Sequence, residues 1–520
     1  MKQILHIFQK DARHYWRESA ASIVLMAAYA WYETRGWAAE GAVGYDVSAF
    51  RLFTSGFLSG LVPVLLPISW ALVIVRVIQG ESLVGDRQFW VTRPYEWKKL
   101  LAAKILFILV VVNLPLLIAD IFLLSKAGFP PMHYLTGLLW MQLLIALFVL
   151  LTIAALATVT ASLLQMCLAI LVIALYLIGM VSLSERIPSS SFSSSIVDSL
   201  QSVLLIGTGM VVIWWQYSTR RTARSRWLIA GFGFVLFLIL VATPYRSVVA
   251  RQYPLEAGQP PVQLALLPAE KPAAENVSDK EDDVQIQIPL SVSGMTDDSL
   301  MTMSGVMVEI ESPDGVRWNS GWRSNGTSLF PEQKRTQIDF SLKRKIFERV
   351  RGTPVVARIS VALTVFHDRN RREFIVPNGE FVMPDVGLCT SEAGYSRNIH
   401  CRAALRIPSS LLITSDLSQT TCPARKEEVR AQSGEIARDW HHYSDSEPAE
   451  FGISPVKTVD FDLRTVNPTD ARRLNGICPG TPLVLSKPEQ ARQTRIELVL
   501  NGIRLNDYRL SPTRRFTFER

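Results

Sequence analysis

The segment Gly80–Lys104, GESLVGDRQFWVTRPYEWKKLLAAK, decides how the first half of this chain folds. It is polar and basic, and it lies between two long apolar runs, Leu52–Ile78 and Leu100–Leu124. Arg76, Arg87, Arg93, Lys98, Lys99 and Lys104 gather positive charge around it. A helix needs about 20 mostly apolar residues to cross the roughly 30 Å hydrocarbon core of a bilayer. Both runs are long enough. The loop between them then faces the cytoplasm, because basic residues stay on that side.

The same criterion finds five more candidate spans. Ala20–Trp37 is interrupted by Glu33 and Arg35, and Trp31, Tyr32 and Trp37 read as an interfacial aromatic belt. Tyr134–Ala157 and Leu163–Leu183 are joined by a tight turn at Thr158–Ser162, and Ile196–Tyr217 and Trp227–Thr243 follow. Loop charge sets their orientation. With the N-terminus inside, the cytoplasmic loops include Gly80–Lys99 and Ser218–Arg226, which holds Arg220, Arg221, Arg224 and Arg226. The external loops Ala38–Arg51, Ser125–His133 and Ser184–Ser195 hold only Arg51, Lys126 and Arg186. Seven spans place everything after Thr243 outside.

Composition agrees with a divided chain. Its 520 residues carry a net charge of +8, with a mean hydropathy of +0.20. Residues 1–250 hold 19 Lys+Arg against 11 Asp+Glu, so the second half is neutral. The basic excess belongs to membrane loops and excludes a nucleic-acid surface, which would show as a basic stripe on a polar domain. The opening residues 1–18 repeat Ile4, Leu5, Phe8, Ala12, Tyr15 and Trp16 at helical spacing, with Lys2, Lys10, Arg13 and Arg17 mostly on other faces. They read as an amphipathic helix on the cytoplasmic leaflet rather than a cleavable signal.

Residues 87–104 resemble the loop after the second span of type 2 ABC exporter permeases. There a Thr-Pro pair is followed ten residues later by a Lys that opens the third span. Here Arg93 separates Thr92 from Pro94, and Lys104 lies ten residues after Pro94. The N-terminal helix is similar to the elbow helix of that family, and the resemblance covers about residues 1–217. It implies an ABC ATPase subunit docked on the cytoplasmic face. Arg87, Phe89, Trp90, Thr92, Arg93, Pro94 and Lys104 form the dock together with the N-terminal helix. It also implies a homodimer or heterodimer of permease subunits in the bilayer. The chain has no GxxxxGK[ST] loop, so no cofactor is expected on it, and ATP belongs to the partner subunit. The seventh span then reads as an added tether for an exported domain.

Polar residues interrupt the spans at Asn113 and Asp120 in the third, Gln142 in the fourth and Gln165 in the fifth. An intramembrane Asp marks a candidate pathway, although Asp120 lies near the outer end. Asn113 and Pro115 mark a kink.

In the second half, Arg251–Asp283 is rich in Pro, Ala and charge and reads as an extended linker. Alternation then predicts strands around Val284–Leu290, Val306–Ile310, Ile338–Leu342 and Val355–Phe366, with a turn at Ser312–Gly315. Asn501-Gly502 is a two-residue hairpin signal. The expected fold class is a membrane α-helical bundle of about seven transmembrane helices followed by an all-β extracytoplasmic region, a β-sandwich. The domains expected are an interfacial helix (1–18), a six-span part (19–217) and a basic loop with the seventh span (218–250). A linker (251–283), a sandwich (284–383) and a disulfide-bearing β-region (384–520) follow; one elaborated β-domain is the alternative. Cys389, Cys401, Cys422 and Cys478 all lie in this half without a CxxC pair, which favours disulfides, with sequence neighbours paired. No GxSxG or HExxH motif stands in a catalytic context. Two functions from different classes fit. One is an export permease without enzymatic activity of its own. The other is a multi-span anchor for a sensing, adhesion or assembly module.

Overall fold

The computed structural model describes residues 2–40, 49–81, 96–184, 195–243, 245–256, 258, 260–268, 283–368, 371–377, 379–384, 386–391, 399–405, 410–416, 436–442, 453–461, 464–465 and 480–510. Among them, six helical segments are long and apolar enough to cross a membrane: Leu61–Gln79, Trp97–Lys126, Pro131–Val159, Leu163–Leu183, Val197–Thr219 and Thr222–Ala242. The protein is an integral membrane protein with a β-rich second half.

The helical part opens with α1 (Lys2–His14) and α2 (Trp16–Glu40), followed by α3 (Ala49–Gln79). The first of the seven expected spans is helical, as α2, but it falls outside the six apolar segments. Glu18, Glu33 and Arg35 dilute its apolar content. Its buried face, Met26, Tyr29 and Ala30, still packs into the main helical core.

The third and fourth spans are not continuous α-helices. The third runs as α4 (Trp97–Ile108), a π-helical turn (Leu109–Asn113) and α5 (Leu114–Lys126). Pro115 lacks the N–H that would close the α-ladder there, and a wide turn before it absorbs the mismatch. The fourth runs as α6 (Leu135–Ile145), a second π turn (Ala146–Leu150) and α7 (Leu151–Val159). α8 (Leu163–Ser184), α9 (Ser195–Thr219) and α10 (Thr222–Ala242) complete the apolar set. α10 starts within the expected loop 218–226, so Arg224 and Arg226 ride on its first turns. Leu164, Val172, Ile178 and Val181 leave α8 apolar and exposed on its outer face, as a helix surrounded by lipid requires.

α11 (Tyr245–Gln252) carries the chain into the first of two β-sandwiches. One sheet orders β1 (Gln263–Leu266), β2 (Asp283–Ser293) and β6 (Arg335–Lys343). The facing sheet orders β17 (Glu489–Ile503), β7 (Val355–His367), β3 (Ser299–Glu311) and β4 (Arg317–Asn319), with β5 (Arg323–Leu329) also paired to β3. β2 alternates as expected, with Val284, Ile286, Ile288 and Leu290 buried against Ile338, Phe340 and Leu342 of β6. A short helix, α12 (Arg344–Val350), adds Phe347 and Val350 to this core.

The second sandwich has β14 (Val456–Phe461), β11 (Ile399–Ala404), β10 (Gly387–Ser391) and β9 (Gly379–Met383) in one sheet. Its other sheet orders β15 (Arg464–Thr465), β13 (Ile436–His442), β12 (Ser410–Asp416), β16 (Pro482–Ser486) and β8 (Arg371–Ile375). It is therefore inserted between β7 and β17 of the first.

Four features differ from the sequence expectation. β8 and β9, assigned to the first sandwich by position, pair inside the second. The final strand β17 returns to β7 of the first. Asn501-Gly502 makes no hairpin: Gly502, at φ 73°, sits in a register shift between Leu500 and Ile503, so the left-handed residue is used for a bulge inside one long strand. Finally, residues 251–256 and 263–266 are docked rather than free. β1 pairs with β2, and Arg495 N donates to Pro254 O at 2.9 Å. The turn at Ser312–Gly315 forms as expected, with Gly315 N donating to Ser312 O at 3.0 Å. A disulfide joins Cys389 to Cys401, opposite one another on β10 and β11. Cys422 and Cys478 lie outside the described residues.

Candidate functional site

α1 supplies the first half of the site. Its apolar stripe of Ile4, Ile7, Phe8, Ala12 and Tyr15 recurs every three or four residues, which puts these side chains on one face. Phe8, Ala12 and Tyr15 pack on Val73 and Val77 of α3 and on Phe107 and Val111 of the third span. Asp11 falls on the same face and is carried into the contact, where it is buried.

Lys104, one turn before Phe107 on α4, meets Asp11 there. Its Nζ lies 2.7 Å from Asp11 Oδ2 and 3.5 Å from Glu81 Oε1, and the Lys104 and Asp11 side chains are only 2% and 3% exposed. Lys10 adds a second ammonium 3.1 Å from Glu81. Burial and then the carboxylates of Asp11 and Glu81 push the Tyr15 phenol above its usual value, so it stays protonated beside them. A Cβ on Gly80 would lie 2.1 Å from the Tyr15 hydroxyl, so the helix end at Gly80 fits against the ring only without a side chain. Three separate segments thus meet in one ion cluster: α1, the end of the second span and the third span.

A second polar cluster lies further along the third span. Asn113, in the π turn, donates to Gln142 Oε1 at 3.1 Å, and Gln142 Nε2 donates to Asp120 Oδ2 at 2.8 Å. Asn113 and Asp120 are seven residues apart on one helix face, and Gln142 reaches across from α6 to join them. Asn113 Oδ1 and Asp120 Oδ1 are buried without a hydrogen-bond partner among the described residues. Tyr29 of α2 lies buried close to Asp120 and to Ser454, just before β14.

That last contact belongs to a wider seat. The second sandwich rests on the end of the bundle opposite α1. Val456, Ala404, Leu405 and Ile453 join the helical core beside Trp37, Phe129 and Tyr134. Leu405 presses on Gly137 of α6, where a Cβ would lie 2.4 Å from its Cδ1. Phe129 reaches Gly387, and the Arg402 guanidinium lies 5.9 Å over the Trp37 ring. Leu405 itself holds a left-handed backbone, φ 60°, which an L-residue keeps only where its surroundings impose it. Leu405→Asp is expected to unseat the sandwich at a cost of about 2 kcal/mol or more, the scale of losing one packed leucine. Limited proteolysis of the membrane-embedded protein around residues 404–405 reads the change.

No family model matches the chain, and no curated protein matches it. Among solved structures the chain aligns with the crystal structure of red sea bream transglutaminase at a TM-score of 0.13 and 8% identity. That alignment covers 56% of this chain and 35% of the transglutaminase chain. At this TM-score it carries no argument about fold or function.

Of the sequence-predicted site residues, Lys104 is described and buried in the ion cluster. Arg87, Phe89, Trp90, Thr92, Arg93 and Pro94 lie outside the described residues. Asn113 and Asp120 are brought together through Gln142. Asp11, Glu81 and Tyr29 are members that sequence reasoning did not single out. Asp11 had a readable mark, being the one acidic residue of α1 and lying on its apolar stripe.

Proposed function

We propose that this chain is the membrane-spanning permease subunit of an ATP-driven ABC export system whose ATPase is a separate chain. It sits in a cytoplasmic membrane with α1 inside and both sandwiches outside, and it works as a dimer of permease subunits. The ATPase docks at residues 82–95 and α1. The observation that carries this reading is the Lys104–Asp11–Glu81 cluster. Glu81 is the last described residue before the proposed docking loop, and Lys104 lies on the span after it. A buried ion pair resists separation because each charge would be stranded without its partner. A push on the loop is therefore delivered to α1 and to the second and third spans as one body. The two π turns give the third and fourth spans places to bend. The Asn113–Gln142–Asp120 cluster joins these two spans beside their π turns.

Co-purification from native cells tests the reading. A stoichiometric ATPase subunit is the expected companion. Phe89→Ala, Trp90→Ala and Arg93→Ala together are expected to weaken its retention at least tenfold while the permease remains folded. A chain that purifies without an ATPase would favour the membrane-anchored sensing or assembly module instead.

A further inference from the structure

We infer that the outward face of α1 is a recognition surface for the phosphate headgroups of anionic lipids. His6, Lys10 and Arg13 are exposed along it and exposed Arg17 continues the row on the first turn of α2, whereas Asp11, the one acidic residue of α1, is turned inward and buried. A shallow depression of about 440 Å³ follows the face, lined by His6, Gln9, Lys10, Arg13 and His14. Its chemistry is that of cations and hydrogen-bond donors, which suits phosphodiester oxygens.

The occupant follows from where the helix lies. α1 does not sit below the ends of the spans. Its inner face packs on Val73 and Val77 and on Phe107 and Val111, which are apolar residues of the spans themselves. The opposite face therefore looks away from the bundle at the level where headgroups stand. Leu5 and Trp16, 51% and 59% exposed, flank the cations as an interfacial helix requires. The Arg17 guanidinium lies 5.7 Å from the Trp16 ring centroid, joining the charge to the aromatic anchor. Lys10 is shared with Glu81, so a headgroup bound here would touch the same ion cluster that joins α1 to the spans. The inference stands whether or not the chain is a permease.

The test uses the full chain in nanodiscs made from equal parts phosphatidylglycerol and phosphatidylcholine. Native mass spectrometry counts the lipids retained on release. A basic residue near an anionic surface contributes about fivefold in affinity, so wild type is expected to retain phosphatidylglycerol about tenfold or more over phosphatidylcholine. Arg13→Gln with Arg17→Gln is expected to remove most of that preference, and Arg13→Lys with Arg17→Lys to keep it. Equal retention of both lipids by wild type would overturn the inference, as would equal loss in the glutamine and lysine pairs. Displacement of the lipid by millimolar inorganic phosphate would assign the face to a free anion and overturn the lipid reading. Loss of a co-purifying protein from the glutamine pair, with lipid preference unchanged, would assign the face to a protein partner and also overturn it.

Discussion

Asp11→Leu is expected to destabilise the helical part by about 3–5 kcal/mol, the usual cost of removing one partner from a buried ion pair. The cost arises less from a lost contact than from what remains. Lys104 Nζ would stay 2% exposed, with Glu81 at 3.5 Å as its nearest carboxylate. Glu81 is already 3.1 Å from Lys10 and cannot compensate two ammoniums equally. Releasing Lys104 requires α1 to lift, which also uncovers Phe8 and Tyr15 from Phe107 and Val77. The double variant Asp11→Leu, Lys104→Met separates the two contributions. It removes both charges, and replacing a buried ion pair by apolar residues is often neutral or stabilising. Thermal unfolding in detergent is therefore expected to show a large fall for Asp11→Leu and recovery in the double variant. If the double variant is no better than the single, α1 is held by its apolar stripe alone and the ion cluster is incidental.

Lys104 and Asp11 each carry a mark in the sequence. Lys104 stands out in the sequence because it follows a basic loop and opens an apolar run. Its partner is 93 residues earlier, and no local periodicity connects them. The same limit appears in the polar residues of the third and fourth spans. Asn113, Asp120 and Gln142 are each conspicuous in an apolar context, but which helices are neighbours is decided by packing, so only the fold joins them. In the β half, local pattern performed well where one face is buried and the other wet. β2 reads cleanly for that reason. β3 is buried almost throughout yet still alternates at Val306, Val308 and Ile310, whereas β7 is a nearly continuous buried run. Chain order misled where pairing is non-local: β17 completes a sheet begun nearly 200 residues earlier, with the whole second sandwich intervening. Asn501-Gly502 shows the same effect in miniature, because a left-handed dipeptide serves a bulge as readily as a hairpin, and the partner strand determines which.

Gln142→Leu is expected to have the second large effect, and its size depends on which hydrogen-bond scale applies. Side-chain hydrogen bonds between membrane helices contribute about 0.6 kcal/mol on average, so two of them would cost little more than about 1 kcal/mol. Gln142 is not an average case. It donates to a carboxyl group that is fully buried, and it accepts from Asn113, whose own Oδ1 has no partner among the described residues. Without it, Asp120 would hold both oxygens bare in an apolar environment. A buried polar group left unsatisfied costs about 1–3 kcal/mol, and Gln142→Leu leaves one on each side of it. A loss of about 2–4 kcal/mol is expected for Gln142→Leu, against a smaller loss for Asp120→Leu combined with Gln142→Leu, which removes both partners of one bond but still leaves Asn113 without Gln142 Oε1. Asp120→Asn is the informative third variant. An asparagine amide oxygen still accepts from Gln142 Nε2, so packing and stability are expected to stay within about 1 kcal/mol of wild type. Thermal unfolding of the three proteins checks these values. If Asp120→Asn keeps its stability but stops transport in reconstituted vesicles, the carboxylate acts on what passes the cluster. If stability and transport both survive, the cluster serves only to hold the third and fourth spans together across their π turns.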